Sequence, residues 1–208
     1  PMAKELDSSV SVVWDGGSQT VTVRSSKLNL TAKVGQLYLV ANGRYLYIPE
    51  GVQLVNGRVT VPLSVLTEAF DASLTWNAAT GVVAVTRGSG ALTPADQYYN
   101  QDDLFWLCRI IYAESGNQPL EGMMAVGNVV LNRVNDPIYP NTIVGVLAQK
   151  NQFTTYQSGK LAYRTPNENS VIAAKLVLDG GVVEETKGAT HFDSCSNSWA
   201  SRHKTCVA

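Results

Sequence analysis

The chain changes its hydrophobic rhythm part-way along. From residue 9 to residue 87 apolar and polar positions alternate in short runs. "SQTVTVRS" sets Val21 and Val23 against Thr20, Thr22 and Arg24, the period of two expected of a half-buried strand. Turn chemistry then predicts three hairpins: Asn42-Gly43 between "LYLV" and "RYLYI", Asn56-Gly57 between "VQLV" and "RVTV", and "NAATG" before "VVAVTR". One stretch breaks the alternation. In "PLSVLTEAF", Leu63, Leu66 and Phe70 recur at spacings of three and four behind Pro62, which predicts a short helix covering one face of a small sheet. The runs "WDGGSQTVTV" and "WNAATGVVAV" echo one another, and read as two Trp-anchored hairpins at equivalent edges of related sheets.

Beyond "RGSGALTPADQYYN", where Gly88, Gly90 and Pro94 oppose regular structure, the spacing becomes helical. Asp102 and Asp103 open a helix whose apolar stripe is Leu104, Leu107, Cys108 and Ile111, and Gly116 stops it. Asn117 and Pro119 lead into "LEGMMAVGNVVLNRV", whose small residues Gly122, Ala125 and Gly127 permit close helix contact. A third helix, "SVIAAKLVLDGG", ends at Gly180. The expected fold class is α+β: a small β-rich domain with one short helix over 1–87, a linker over 88–100, and a mainly α domain over 101–208.

Composition narrows the function classes. With 45% hydrophobic and only 16% charged residues the chain has material for real cores and too few charges for a disordered tail. Sixteen basic residues against 17 acidic ones, with no Lys/Arg run, leave no electrostatic footprint for nucleic acid or an anionic membrane, and no stretch reads as a membrane span. The start, "PMAKELDSSV", lacks an apolar leader core, so either the protein is cytosolic or a leader is not part of this sequence. Cys108 falls inside an apolar helical run and reads as a small buried hydrophobe. Cys195 and Cys206 flank the polar loop "CSNSWASRHKTC"; a bridge there would contribute about 3 kcal/mol and imply an oxidising setting. His191 and His203 with those cysteines give the spacing His-x3-Cys-x7-His-x2-Cys, which matches no structural zinc pattern, so no metal and no cofactor is expected.

The candidate chemistry sits in "IIYAESGNQPLEG". Glu114 ends an apolar helical run, where the dipole favours a cation. Between two apolar helices it is expected to point away from bulk water, with its pKa raised so that it stays protonated near neutral pH. A protonated carboxyl can act as general acid, which is what glycoside cleavage needs. Glu121 fits the first turn of the following helix and Glu168 a solvated helix start, so neither offers a convincing second carboxylate. Asn132 reads either as a buried hydrogen-bonder holding a loop or as a sugar contact.

Two family resemblances stand on these residues. "GRVTVPLSVLTEAFDASLTWNAATGVVAVTR" resembles the copper amine oxidase-like N-terminal domain, across roughly residues 10 to 87. No His or Cys lies there to bind copper, so the module reads as an attachment or spacer domain. "LFWLCRIIYAESGNQPLEGMMAVGNVVLNRVNDPIYPNTIVGVLAQKNQF", continuing through "NSVIAAKLVLDGG" and "GATHFDSCSNSWA", resembles the catalytic domain of bacterial cell-wall hydrolases related to the spore cortex-lytic enzymes. Those are lysozyme-like, lytic transglycosylase-like folds. The resemblance implies that Glu114, of Tyr112-Ala113-Glu114, is the acid, and Gln152 and Phe153 match the family's Gln-Phe pair, an aromatic face beside an amide that suits a sugar. Tyr112, Tyr156, Asn132 and His191 are further candidate substrate contacts, with core packing the alternative for the tyrosines, loop-holding for Asn132 and a bond to a carbonyl for His191. The implied partner is the peptidoglycan glycan strand, cut by an extracytoplasmic monomer between N-acetylmuramic acid and N-acetylglucosamine. Two rivals are a non-catalytic wall-binding protein and a zinc amidase cutting the stem peptide, the latter disfavoured by the shortage of histidines.

Overall fold

The alternating apolar residues of the first half converge on one face. Val23, Leu28, Leu30, Ala32, Leu39, Ala41, Leu46 and Ile48 are buried together with Leu6 and Ala69 from two short helices and Phe70 just after the second. The computed structural model describes residues 2–192 and the backbone of 206–207. The chain divides into two compact units, 1–98 and 99–208.

In the first unit the order is α1 (Met2–Leu6), β1 (Ser11–Asp15), β2 (Thr20–Arg24), β3 (Asn29–Lys33), β4 (Tyr38–Ala41), β5 (Arg44–Tyr47), β6 (Gln53–Val55), β7 (Arg58–Thr60), α2 (Leu63–Ala69), β8 (Ser73–Asn77), β9 (Val82–Thr86) and α3 (Ala95–Tyr98). Strands β1 to β5 form an antiparallel meander in chain order, while β6–β7 and β8–β9 are separate hairpins. Each expected turn is present. At Asn42-Gly43 and Asn56-Gly57 both residues take positive φ, which Asn and Gly tolerate and which matches strand twist. The two Trp hairpins share a register, Trp14 opposite Val21 and Trp76 opposite Val83. Their settings differ: β1 is the edge of the five-stranded sheet, whereas β8–β9 pairs with no other strand among the described residues.

The expected linker differs from the structure. Residues 88–98 are stitched onto the first unit, with Lys27 Nζ donating to the Ser89 carbonyl at 3.0 Å, Leu92 N to Ala69 O at 3.2 Å and Ala95 N to Asn42 O at 3.0 Å. Buried Leu92 joins the core, and α3 follows Pro94. Gly88 is needed for this route because a Cβ there would lie 1.5 Å from the Asp71 carbonyl oxygen.

The second unit contains α4 (Gln101–Ser115), α5 (Leu120–Asn135), α6 (Ile143–Leu147), α7 (Thr154–Gln157), α8 (Glu168–Leu178), and the two-residue strands β10 (His191–Phe192) and β11 (Cys206–Val207), which pair in parallel. Helices α4, α5 and α8 pack against one another. Of the three small residues expected at the helix contact, Gly127 carries it, since an added Cβ would meet Ile111 at 3.0 Å and Val177 at 3.2 Å. The cap of α4 is Asn100, whose side chain accepts from the N–H groups of Asp102 and Asp103; these two occupy the first turn. Glu121 and Glu168 stand in the first turns of α5 and α8. Cys108 is buried in α4, with its thiol pKa pushed up by desolvation. No helix among the described residues is long and apolar enough to cross a membrane. The Cys195–Cys206 bridge and the His/Cys metal spacing involve side chains outside the described residues.

Candidate active site

Helix α4 brings Glu114 to its last turn, one residue before the end. The expectation that Glu114 would be turned away from solvent is corrected: the residue is exposed. Its carboxyl is nevertheless crowded by protein on its flanks. Desolvation raises its pKa above the usual glutamate value, and the nearby Arg164 guanidinium opposes that without cancelling it. An exposed side chain can still lose part of its hydration to neighbouring protein atoms, and that is enough to raise its pKa. No hydrogen bond fixes its carboxyl among the described residues.

The end of α4 is shaped by its neighbours. Gly116 closes the helix with ordinary right-handed φ of −60°, so the glycine is not needed for a left-handed cap. The need is space: a Cβ at 116 would lie 2.5 Å from Tyr112 Cδ2, so the Tyr112 ring lies against residue 116. Asn167, the cap of α8, donates from Nδ2 to the Gly116 carbonyl at 2.9 Å and accepts from Ser170 N at 2.8 Å. One side chain therefore ties the end of α4 to the start of α8.

Opposite lies the segment from Gln152 to Arg164. Its helix α7 and the short 3-10 turn Leu161–Tyr163 pack on α4. Tyr156 meets Trp106 edge-to-face with ring centroids 5.2 Å apart. Phe153 is 2% exposed and presents no open ring face, so the expected stacking of a sugar on Phe153 is corrected: the ring packs beneath Arg133, 5.6 Å from its guanidinium carbon. Tyr163 is 90% exposed immediately before Arg164, and is an aromatic at the site that the sequence reading passed over.

A ladder of polar residues on α5 holds the segment that carries His191. Asn128 donates to Gly181 O and accepts from Val183 N and the Thr186 hydroxyl. Asn132 gives both amide hydrogens to the carbonyls of Thr186 and Ala189, at 2.7 and 2.8 Å, which is the loop-holding alternative. Arg133 donates from Nε to Thr190 O at 2.6 Å and from Nη1 to Gln152 Oε1 at 2.9 Å. His191 is half-buried, 3.1 Å from the Thr190 hydroxyl through Nδ1, and its pKa is lowered by desolvation and then by the Arg133 charge, which keeps it neutral at pH 7. The structure thus groups Tyr112 with Glu114 at the end of α4, Tyr156 on the facing segment, and Gln152 with His191 around Arg133.

Residues 117–208 match the cell wall hydrolase family model, and residues 1–85 match that of the copper amine oxidase N-terminal domain. The second half of the chain is a cell wall hydrolase domain. The hydrolase domain is similar to a spore cortex-lytic enzyme of Bacillus cereus, 41% identical over 105 residues that make up 49% of this chain and 39% of that protein. The counterpart from Bacillus subtilis is 36% identical over 81 residues, 39% of this chain and 25% of its own length. The chain thus spans less than half of these relatives. Among solved structures, the catalytic domain of the germination-specific lytic transglycosylase SleB from Bacillus anthracis is 35% identical, covering 47% of this chain and 76% of that one, with a TM-score of 0.40. The Bacillus cereus SleB catalytic domain is 34% identical, covering 50% and 77%, with the same TM-score.

Sequence reasoning passed over Arg133 and Arg164 as well as Tyr163. A signal for Arg133 existed: in the hydrolase domain it continues the apolar stripe Val126, Val129 and Val130 at spacings of three and four, and a charge in a buried stripe must be paired by something.

Proposed function

We propose that the chain cleaves the glycan strand of peptidoglycan between N-acetylmuramic acid and N-acetylglucosamine, as a lytic transglycosylase with Glu114 as its acid and then its base. The observation that carries this reading is Glu114 itself: a reachable carboxyl on a helix end, held toward its protonated form by desolvation, in a domain whose relatives are spore cortex-lytic enzymes. Protonated Glu114 gives its proton to the glycosidic oxygen as the C1–O bond breaks and the muramoyl ring takes on oxocarbenium character. The resulting carboxylate removes the proton of the muramoyl C6 hydroxyl. That oxygen bonds to C1, closing a 1,6-anhydro ring and returning Glu114 to its starting state. A water-using mechanism needs a second carboxylate. The charge that acts on Glu114 is the Arg164 cation, and Glu121 is occupied with the first turn of α5.

The proposed setting is extracytoplasmic, with the first unit as an attachment or spacer module and the chain acting as a monomer. Digestion of purified cortex and vegetative wall, followed by mass spectrometry, tests the reaction. The expected product carries anhydro-muramoyl ends, and Glu114→Gln lowers its release by at least about a hundredfold while leaving the fold intact. Muramoyl ends bearing an added water, or near wild-type activity of Glu114→Gln, reject the mechanism.

A further inference from the structure

Arg133 is 3% exposed, yet it spends its charge on neutral partners. Its Nε donates to the Thr190 carbonyl at 2.6 Å and its Nη1 to Gln152 Oε1 at 2.9 Å, with the rings of Tyr139 and Phe153 standing 5.4 and 5.6 Å from the guanidinium carbon. A guanidinium has only donors. The Gln152 amide therefore has one admissible orientation: Oε1 faces Arg133, and the NH2 group faces away from it. Gln152 is exposed, and it begins the segment whose far end carries Arg164 to Glu114.

Resting on the glycan-cleaving function proposed above, we propose that Gln152 is a specificity residue that binds the acetamido carbonyl of an N-acetylated sugar, and that Arg133 is its positioning residue. A glutamine free to flip serves donors and acceptors equally. One whose oxygen is held by a buried cation keeps its NH2 group turned outward, and favours a group that accepts. The carbonyl of an N-acetyl group is such a group. A de-N-acetylated amino sugar puts an ammonium there, which has no lone pair to offer, turns donors toward donors, and meets the Arg133 charge behind the amide. The locked amide thus favours the acetylated strand and repels the bare one.

The experiment compares one wall preparation in three forms: N-acetylated, de-N-acetylated, and de-N-acetylated then re-acetylated with acetic anhydride. Wild-type kcat/KM should fall about tenfold or more on the de-N-acetylated wall and return on re-acetylation. Gln152→Ala should lose a similar factor on N-acetylated wall, mainly through KM, and nothing further on the bare one. Gln152→Glu retains a partner for Arg133 but turns oxygen outward, so its preference should reverse. Arg133→Lys keeps the charge without the fork, and should weaken the preference through KM more than kcat. Co-sedimentation of the Glu114→Gln chain with the walls reads the same preference without cleavage. Equal binding of both walls by that chain, or an unchanged ratio in Gln152→Ala, overturns the proposal. Tighter binding of N-acetylated wall without any cleavage by wild type overturns the proposed reaction and leaves this assignment standing.

Discussion

The native fold disfavours the ionised form of Glu114, since desolvation raises its pKa and Arg164 only partly offsets that. In the unfolded chain the group titrates near the ordinary glutamate value, about 4.3; in the native state it titrates higher. The native state therefore binds this proton more tightly. Its contribution to stability is complete below the unfolded pKa and lost as pH rises through the folded one. Glu114→Gln, which needs no charge, should melt slightly above wild type at pH 7, with the gap closing toward pH 4, as calorimetry would show. Arg164→Gln acts in the other direction on catalysis. Removing the cation leaves desolvation unopposed, so the alkaline limb of the pH–rate profile, where the acid loses its proton, should move to higher pH. No movement would mean that Arg164 does not act on Glu114 in solution. Glu114 was legible because a carboxylate at that helix end opposes the dipole. The burial of Arg133 was legible from the apolar stripe it continues, but its partners were not, because they lie 19 and 57 residues away and no local pattern joins them.

Helices were legible where apolar spacing was regular, and less so where packing or caps set their ends. The stripe on α4 predicted its body, yet its cap is Asn100 and not the aspartates, because a side-chain oxygen one residue before the first turn reaches the free N–H groups. The short helices α6 and α7 were missed, being too brief for a period of 3.6 to show. Gly127 is the point of close approach that its size predicts, where an added Cβ would meet Ile111 on α4 and Val177 on α8. Gly127→Leu should cost roughly 1–3 kcal/mol by overpacking against Ile111 and Val177. Urea unfolding would measure it, and an unchanged midpoint would show that the helices separate easily.

For the molecule as a whole, the change of rhythm near residue 88 marked two classes of structure, while the boundary between the compact units falls at 98 and 99. Glycine and proline suggested free chain, but Leu92 had a core to enter, which residue type alone does not reveal. The two Trp hairpins carry the same arrangement twice: five-residue strands and Trp opposite Val one pair before the turn; their settings differ in that Val21 and Val23 both meet the core, whereas Val83 is exposed and Val85 alone packs against it. One of them belongs to a larger sheet, and among the described residues the other pairs with no third strand and leans on α2, so the pairing does not depend on a third strand. The hairpin is consequently an interchangeable part. A chimera with residues 73–86 exchanged for 11–24 should keep every strand pair and melt within a few degrees of the parent, with circular dichroism as the readout. A collapsed fold would show that the likeness is confined to sequence. Where a chain holds two copies of a part that assembles by itself, substitutions in one copy leave the other to keep its shape, and the spare is free to acquire a surface of its own.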